Sequence, residues 1–297
     1  MRIVVAGGSG FLGTALVQAL ARDGHDVLVL TRGRAGAGRV PWVPDGTAGQ
    51  WAAAVEGAGA VVNLAGASIA DKRWSASRRQ ELHDSRVLST RSLARAIAEA
   101  HQRPPVFVTA CGVGYYGPRG DEPVTESAPP GHDFLATLGV AWESAARAVE
   151  DLGVRVVLLR TGVVLDAGGG ALARMATPFR LGAGGPFGSG RQYMPWIHRQ
   201  DWVDLVRWAL ATPEAGGAIN ATAPAPVTNA EFTATLARVL RRPHVLRVPA
   251  FALRVALGEL AAVVLTGQRA VPARALALGF RFRYPTLEPA LRDIFTR

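Results

Sequence analysis

The segment RIVVAGGSGFLG, residues 2–13, constrains this chain more than any other part of it. A β-branched run (Arg2–Ala6) leads straight into glycines at 7, 10 and 13, after which the pattern turns helical. Between a strand and a helix, the spacing G-x-x-G-x-x-G has a mechanical meaning. The first glycine permits a tight turn, the second lets backbone approach a pyrophosphate, and the third lets the helix pack closely on the strand. The helix start then offers unpaired N–H groups and the positive end of its dipole to phosphate. Gly7, Gly10, Phe11, Leu12 and Gly13 are therefore candidate cofactor-binding positions. A glycine turn without a ligand is the competing reading, and the strand before it argues against that.

The same rhythm continues along the first half. β-Branched runs at 26–30 (DVLVL), 60–65 (AVVNLA), 105–110 (PVFVTA) and 154–160 (VRVVLLR) alternate with helical patterns near 11–23, 75–100 and 134–151. Such alternation predicts an α/β fold built on a doubly wound parallel sheet of the Rossmann type. Beyond 165 come glycine-rich segments (167–171 and 181–190), a helix near 200–212, a short strand near 217–221, and helices near 228–241 and 250–264. The stretch GFRFRYPTLEPALRDIF reads as an extended segment followed by a terminal helix capped by Thr286. The expected organisation is a nucleotide-binding domain over 1–165 plus about 200–222, with a smaller C-terminal substrate-side domain from 166–199 and 223–297.

A net charge of +10 raises nucleic acid as a partner. Lys72 is the sole lysine, however, and the arginines are scattered instead of forming a basic stripe, so nucleic-acid binding is not expected. The apolar stretch 251–265 is interrupted by Arg254 and Glu259 and reads as a buried amphipathic helix, not a membrane span. Positions 1–10 show no cleavable signal pattern. The single cysteine, Cys111, excludes an internal disulfide and a multi-cysteine zinc site. A cytoplasmic chain without a metal is the expectation.

The second strand run ends at Leu30, Thr31 and Arg32, where an NAD site usually places an acid on the ribose 2′-hydroxyl. Arginine there suits a 2′-phosphate, which favours NADP(H) and makes Thr31 and Arg32 candidate contacts. A solvated loop arginine is the alternative.

With the glycine motif, NLAG at 63–66 and Tyr116-Gly117 after the fifth strand, the chain resembles the extended short-chain dehydrogenase/reductases. NLAGASIADKRW, HDSR (83–86), GVGYYG (112–117), FGSGRQYMPWIH (187–198) and GQRAVPARALALGFRFRYPTLEPAL resemble an atypical, epimerase-like branch of the NAD-dependent epimerase/dehydratase superfamily. That branch carries a C-terminal domain of unknown function. The resemblance covers essentially the whole chain and implies that Asn63, Leu64, Ala65 and Gly66 lie along the cofactor's adenosine and ribose. Arg86 stands where the superfamily has a phosphate-facing asparagine, and a guanidinium there can reach a cofactor phosphate. Glu81, five residues earlier, either orients Arg86 or is solvent-exposed. Gly162, Val163 and Val164 are candidate main-chain contacts to the nicotinamide.

The resemblance also implies a Tyr-x-x-x-Lys pair on the helix after the fifth strand, the tyrosine exchanging the proton and the lysine tuning it and holding the ribose. Here the matching positions are Leu138 and Trp142, and no tyrosine in the chain has a lysine four residues on. Cys111 replaces the second serine of the branch's Ser-Ala-Ser pattern and reads as inert packing. Tyr115 and Tyr116 remain as candidate catalytic groups, with aromatic packing the competing role for at least one. Nucleotide-sugar epimerases place a diphosphate-binding arginine where this chain has Met194, although Arg191 lies three residues upstream. His198 and Asp201 match a structural Ile-His-x-x-Asp segment, and the acidic loop DEPVTE (121–126) either closes over the site or is solvated. Two activities fit: NADP(H)-dependent hydride transfer to or from an unidentified carbonyl or alcohol, and a non-catalytic NADP(H)-dependent sensor or scaffold.

Overall fold

The protein's structure, a computed structural model, describes residues 1–244 and 246–296. In chain order the first half forms β1 (Arg2–Ala6), α1 (Phe11–Arg22), β2 (Asp26–Thr31), β3 (Arg39–Pro41), β4 (Ala60–Asn63), α2 (Ala76–Glu99), β5 (Val106–Gly112), β6 (Pro123–Val124), α3 (Phe134–Arg147) and β7 (Arg155–Thr161). There follow β8 (Val163–Leu165), α4 (Gly170–Arg180), β9 (Tyr193–Met194), β10 (Trp196–His198), α5 (Arg199–Ala211) and β11 (Gly217–Ala221). The chain finishes with β12 (Val227–Thr228), α6 (Asn229–Leu240), α7 (Ala250–Leu257), α8 (Ala261–Leu265), β13 (Arg269–Ala270), α9 (Ala273–Ala277) and α10 (Leu287–Thr296).

Seven strands make one sheet in the order β11-β7-β5-β4-β1-β2-β3, with every neighbouring pair parallel. Winding reverses between β1 and β4, and in open α/β sheets the crevice at such a switch point is where ligands bind. Both faces of the sheet are covered, which explains the nearly continuous apolar runs in its strands. In β1, Ile3 and Val5 join a core with Leu16 and Trp202, from α1 and α5, while Val4 and Ala6 join one with Leu93, Phe107 and Trp142, from α2, β5 and α3. A third cluster, including Phe179, Trp196, Phe232 and Leu291, builds the side carried by α4, α6 and α10.

Helix starts follow local chemistry. Ser75 caps α2 by accepting from the Arg78 N–H, and Asp133 caps α3 by accepting from the Ala136 N–H. The expected buried helix over 250–264 is corrected: the chain turns at Gly258 (φ 63°), separating α7 from α8. No residue of α7 is buried, and Phe251 and Val255 are 70% and 73% exposed. Apolar composition alone did not reveal which surface that segment meets. Among the described residues, no helix is long and apolar enough to cross a membrane.

The acidic loop is tied down in its second half, while Asp121 and Glu122 stay exposed. β6 pairs in parallel with β13, and Glu126 accepts from the backbone N–H of Asn220 (2.9 Å) and of Arg274 (3.2 Å). Beneath it, Arg160 donates to both carboxylate oxygens of Glu143 at 2.7 and 2.8 Å, with both side chains at most 5% exposed. The pair staples α3 to β7. Removing one partner of such a pair leaves an uncompensated buried charge and costs about 3–5 kcal/mol, whereas replacing both by apolar groups is often near neutral. Glu143→Ala or Arg160→Ala is therefore expected to lower the unfolding free energy read from urea titration by about 3–5 kcal/mol, and Glu143→Leu with Arg160→Met by clearly less.

Candidate cofactor and catalytic site

The glycine turn is shaped by close approach. Gly7 adopts φ 78°, and a Cβ there would lie 2.6 Å from the carbonyl carbon and oxygen of Leu64, just past β4. A Cβ on Gly13 would lie 2.2 Å from the Gly7 oxygen, so α1 can sit on the turn only with glycine at that position. Gly10 caps α1 with extended backbone and no side-chain hydrogen bond, which leaves the helix start open to an anion. Phe11 carries the turn's contact with the substrate side: Gly169 and Gly170 press on its ring, and the Arg199 guanidinium lies 5.7 Å from its centroid. Leu12 packs against the core.

The segment after β4 is stitched to α2. Asn63, fully buried, accepts from the Ala65 N–H (3.0 Å) and donates to Thr90 Oγ1 (2.9 Å). The Ala67 N–H donates to Ser85 Oγ (3.0 Å), and Arg86 donates to the carbonyls of Ala67 (2.9 Å) and Leu82 (3.1 Å). Gly66 is pressed against that guanidinium: a Cβ there would lie 3.2 Å from its central carbon. Burial, with the charge of Arg78, pushes Arg86 down to about 10, so it stays charged at neutral pH.

Glu81 does not orient Arg86. It pairs with Arg78 at 2.6 Å and is 54% exposed, because residues three apart share a helix face whereas residues five apart do not. That hydrogen bond lowers the Glu81 carboxyl, with smaller Coulombic contributions from Arg78, Lys72 and Arg32. The exposed Arg32 thus stands near Lys72 and Arg78, two cations that the sequence reading had not assigned to the site. Thr31 Oγ1 accepts from the Gly33 N–H (3.0 Å) and shapes the end of β2.

On α3, Leu138 and Trp142 are both buried, at 4% and 8% exposure. The two tyrosines part company. Tyr116 has no exposed surface; its hydroxyl donates to Asn220 Oδ1 (2.6 Å) and accepts from Arg160 (3.0 Å), and burial pushes it up to about 12. A phenol so committed is a poor proton donor to a cleft, which corrects its candidacy. Tyr115 is half-buried, the Arg160 guanidinium lies 3.5 Å from its ring centroid, and among the described residues its hydroxyl has no hydrogen bond. Val164 is buried in parallel register with Ile197, and the neighbouring Val163 N–H is already taken by the Pro195 carbonyl (2.7 Å).

On the substrate side, the Met194 sulfur accepts from Asn229 Nδ2 (3.2 Å) and Arg191 is exposed. His198 caps α5 by accepting from the Gln200 N–H, and Asp201 accepts from the N–H groups of Arg283 and Tyr284, so both act as structural ties.

Residues 3–222 match the NAD dependent epimerase/dehydratase family, and residues 248–294 match a domain of unknown function, DUF1731. The chain belongs to that epimerase/dehydratase family. It is 42% identical over 299 residues to the Epimerase family protein SDR39U1 of Bos taurus, covering 99% of each chain. It is 43% identical over 298 residues to the Epimerase family protein MT2273 of Mycobacterium tuberculosis, covering 99% of this chain and 98% of that one. A crystal structure of human epimerase family protein SDR39U1 (isoform 2) with NADPH superposes with a TM-score of 0.92 at 40% identity, covering 99% of both chains. Family members thus share the whole length of this protein, including the exposed α7 that composition misread.

Cys111 is fully enclosed; burial first, then the negative charge of Glu143, raise its thiol well above the ordinary range. Because the thiolate is the reactive form, the native protein should resist an aromatic disulfide reagent at mildly alkaline pH. Urea should release one thiol equivalent per chain, as followed by absorbance.

Proposed function

We propose that this chain binds NADP(H) across the C-terminal edge of its sheet and transfers hydride between the cofactor and a small carbonyl or alcohol substrate. The observation that carries the cofactor is the turn through Gly7, Gly10 and Gly13, whose helix start is capped by no side chain. The residues fit the group: glycines at 7 and 13 let the turn, the segment after β4 and α1 close on one another backbone to backbone, and α1 presents open N–H groups there. The exposed Arg32 at the end of β2 supplies the positive charge that a 2′-phosphate needs, and no acid stands there to favour NAD. The NADPH held by the human relative supports the same choice.

When bound, the nicotinamide supplies or accepts the hydride. The chain's part is to orient the dinucleotide, shield the crevice and manage one proton. The half-buried Tyr115 is the remaining side-chain candidate for that proton, since Tyr116 is locked and the positions of the usual pair hold Leu138 and Trp142. Two buried apolar side chains at those positions also favour a second reading, a non-catalytic NADP(H)-dependent sensor or scaffold. The substrate-side Met194 argues against recognition of a substrate diphosphate at that point.

Two measurements test this reading. Arg32→Gln is expected to weaken NADPH binding about ten-fold, as one exposed charge-assisted contact implies, and to leave NADH binding unchanged. Equal loss for both cofactors would remove the 2′-phosphate assignment. Purified protein loaded with NADPH should oxidise it against some member of a carbonyl panel, with Tyr115→Phe slower by about a hundred-fold, the low end for a general acid. Binding of NADPH with no turnover, together with cofactor-dependent capture of a partner, selects the sensor instead.

A further inference from the structure

We propose that residues 70–79 form an ionic latch with α4 and the α7–α8 turn across the mouth of the dinucleotide crevice, and that its opening sets the rate of cofactor exchange. The inference rests on the NADP(H) reading above and concerns regulation of the same site. After Gly66 the chain runs without regular structure to the start of α2 at Ala76. From there and from the first turn of α2 it reaches partners 103 to 182 residues further along the chain. Arg174 of α4 donates to the Ala70 carbonyl (2.9 Å) and pairs with Asp71. Arg73 donates to the Val255 carbonyl of α7 (2.8 Å), and Arg79 pairs with Glu259, between α7 and α8 (3.2 Å).

These ties complete a ring. Leu64 and Ala65 lie against Gly7, and the glycine turn leads from there to Phe11. Gly169 and Gly170, at the start of α4, press on the Phe11 ring, and a Cβ on Gly169 would lie 2.7 Å from it. One helical turn along α4, Arg174 reaches Ala70 and Asp71, from which a few residues of chain lead back to Leu64. The open N–H groups at the start of α1 belong to the rim of this ring. A dinucleotide is two bulky ends joined by a diphosphate. With its middle at the start of α1, one end extends toward Arg32 and the other toward Tyr115, so the closed ring surrounds its waist and blocks entry and exit.

The latch is the part of the ring built to open. Between Gly7 and Leu64, backbone meets backbone, and those turns cannot separate without breaking the fold around them. The side chains of the Asp71–Arg174 and Arg79–Glu259 pairs are instead 41–61% exposed, so each pair contributes little and is screened by salt. The irregular segment is fixed at its ends, where the Ala67 N–H donates to Ser85 Oγ (3.0 Å) and Ser75 caps α2. Within it the Trp74 indole donates to the Ile69 carbonyl (3.0 Å), which holds the arch together as one piece. An arch hinged at both ends and fastened only by exposed polar contacts can swing away from α4 without disturbing either core.

The test uses the full-length protein and stopped-flow fluorescence of NADPH, with association read on mixing and dissociation read on displacement by excess NADP+. Arg174→Gln and Glu259→Gln change the local charge in opposite directions. Electrostatic attraction of an anionic cofactor alone would therefore slow association in the first variant and speed it in the second. The latch predicts that both variants speed association and dissociation alike, by about two- to five-fold, with the dissociation constant within about two-fold of wild type. The gap between wild type and either variant should close as sodium chloride is raised, because screening opens the wild-type latch as well. Wild-type rates in both variants overturn the proposal while leaving NADP(H) binding intact. Association that slows in Arg174→Gln and quickens in Glu259→Gln overturns it too, since that marks steering without a gate. Failure of the wild-type protein to bind NADPH overturns both readings.

Discussion

The contact between the turn after β1 and the turn after β4 governs the rest of the site. With Cβ-equivalent space on Gly7 only 2.6 Å from the Leu64 carbonyl, the two turns touch backbone to backbone and leave room for no side chain between them. Gly13 repeats the constraint one helical turn later, so α1 is set down against the same turn. The strand order reverses at this place, and the crevice therefore opens where backbone N–H groups, and not side chains, are on offer. Asn63 then transmits the position of β4 to α2 through Thr90, and α2 places Arg86. A steric fact about glycine is thus relayed through Leu64, Asn63 and Thr90 to the location of a charge.

A second constraint works on the opposite side of the crevice. The Glu143–Arg160 pair is extended by Tyr116 to Asn220, and Asn220 in turn meets Glu126 and the carbonyls of Val124 and Val271. This network joins α3, β7, β11, the acidic loop and the segment leading into α9, so polar groups under the loop find partners within it. Its consequence for chemistry is that Tyr116 is spent on architecture. The tyrosine next to it in sequence, on the same short turn (Val113–Tyr116), retains an uncommitted hydroxyl.

Much of this was legible beforehand, and the reasons are physical. β1, β2, β4, β5 and β7 were readable because strands covered on both faces must be apolar throughout, and α1, α2 and α3 because helical patterns alternate with them. β8, β9, β10, β12 and β13 are two or three residues long, and what makes them strands is a partner distant in the chain. The division of labour between Tyr115 and Tyr116 was hidden for a similar reason, since it depends on which ring the turn after β5 directs toward β11. Two ion pairs had a signal in reach. Glu81 sits three residues from Arg78 and five from Arg86, and helix geometry alone prefers the nearer partner. Glu143, the lone ionisable group in an apolar stretch of α3, already implied a buried cation opposite it.

The apolar character of α3 then acquires a specific cause. A helix bearing a tyrosine and a lysine toward the crevice must keep both solvated or paired; this one buries Leu138 with Leu82 and Val87 of α2, and Trp142 with Cys111 and Leu158 of the sheet. Closer packing of that kind stabilises α3 but removes the group that would tune a proton donor. Two polar atoms beside it, Trp142 Nε1 and Thr109 Oγ1 of β5, are buried without partners among the described residues, as are Arg78 Nε, Gln192 Oε1 and Arg269 Nε elsewhere. Unsatisfied groups of this kind cost about 1–3 kcal/mol each and are tolerated where a fold serves something other than its own stability. Trp142 Nε1 and Thr109 Oγ1 lie on the α2–α3 side of the sheet, whereas Gln192 Oε1 and Arg269 Nε belong to the later half of the chain, so unsatisfied atoms do not single out one face.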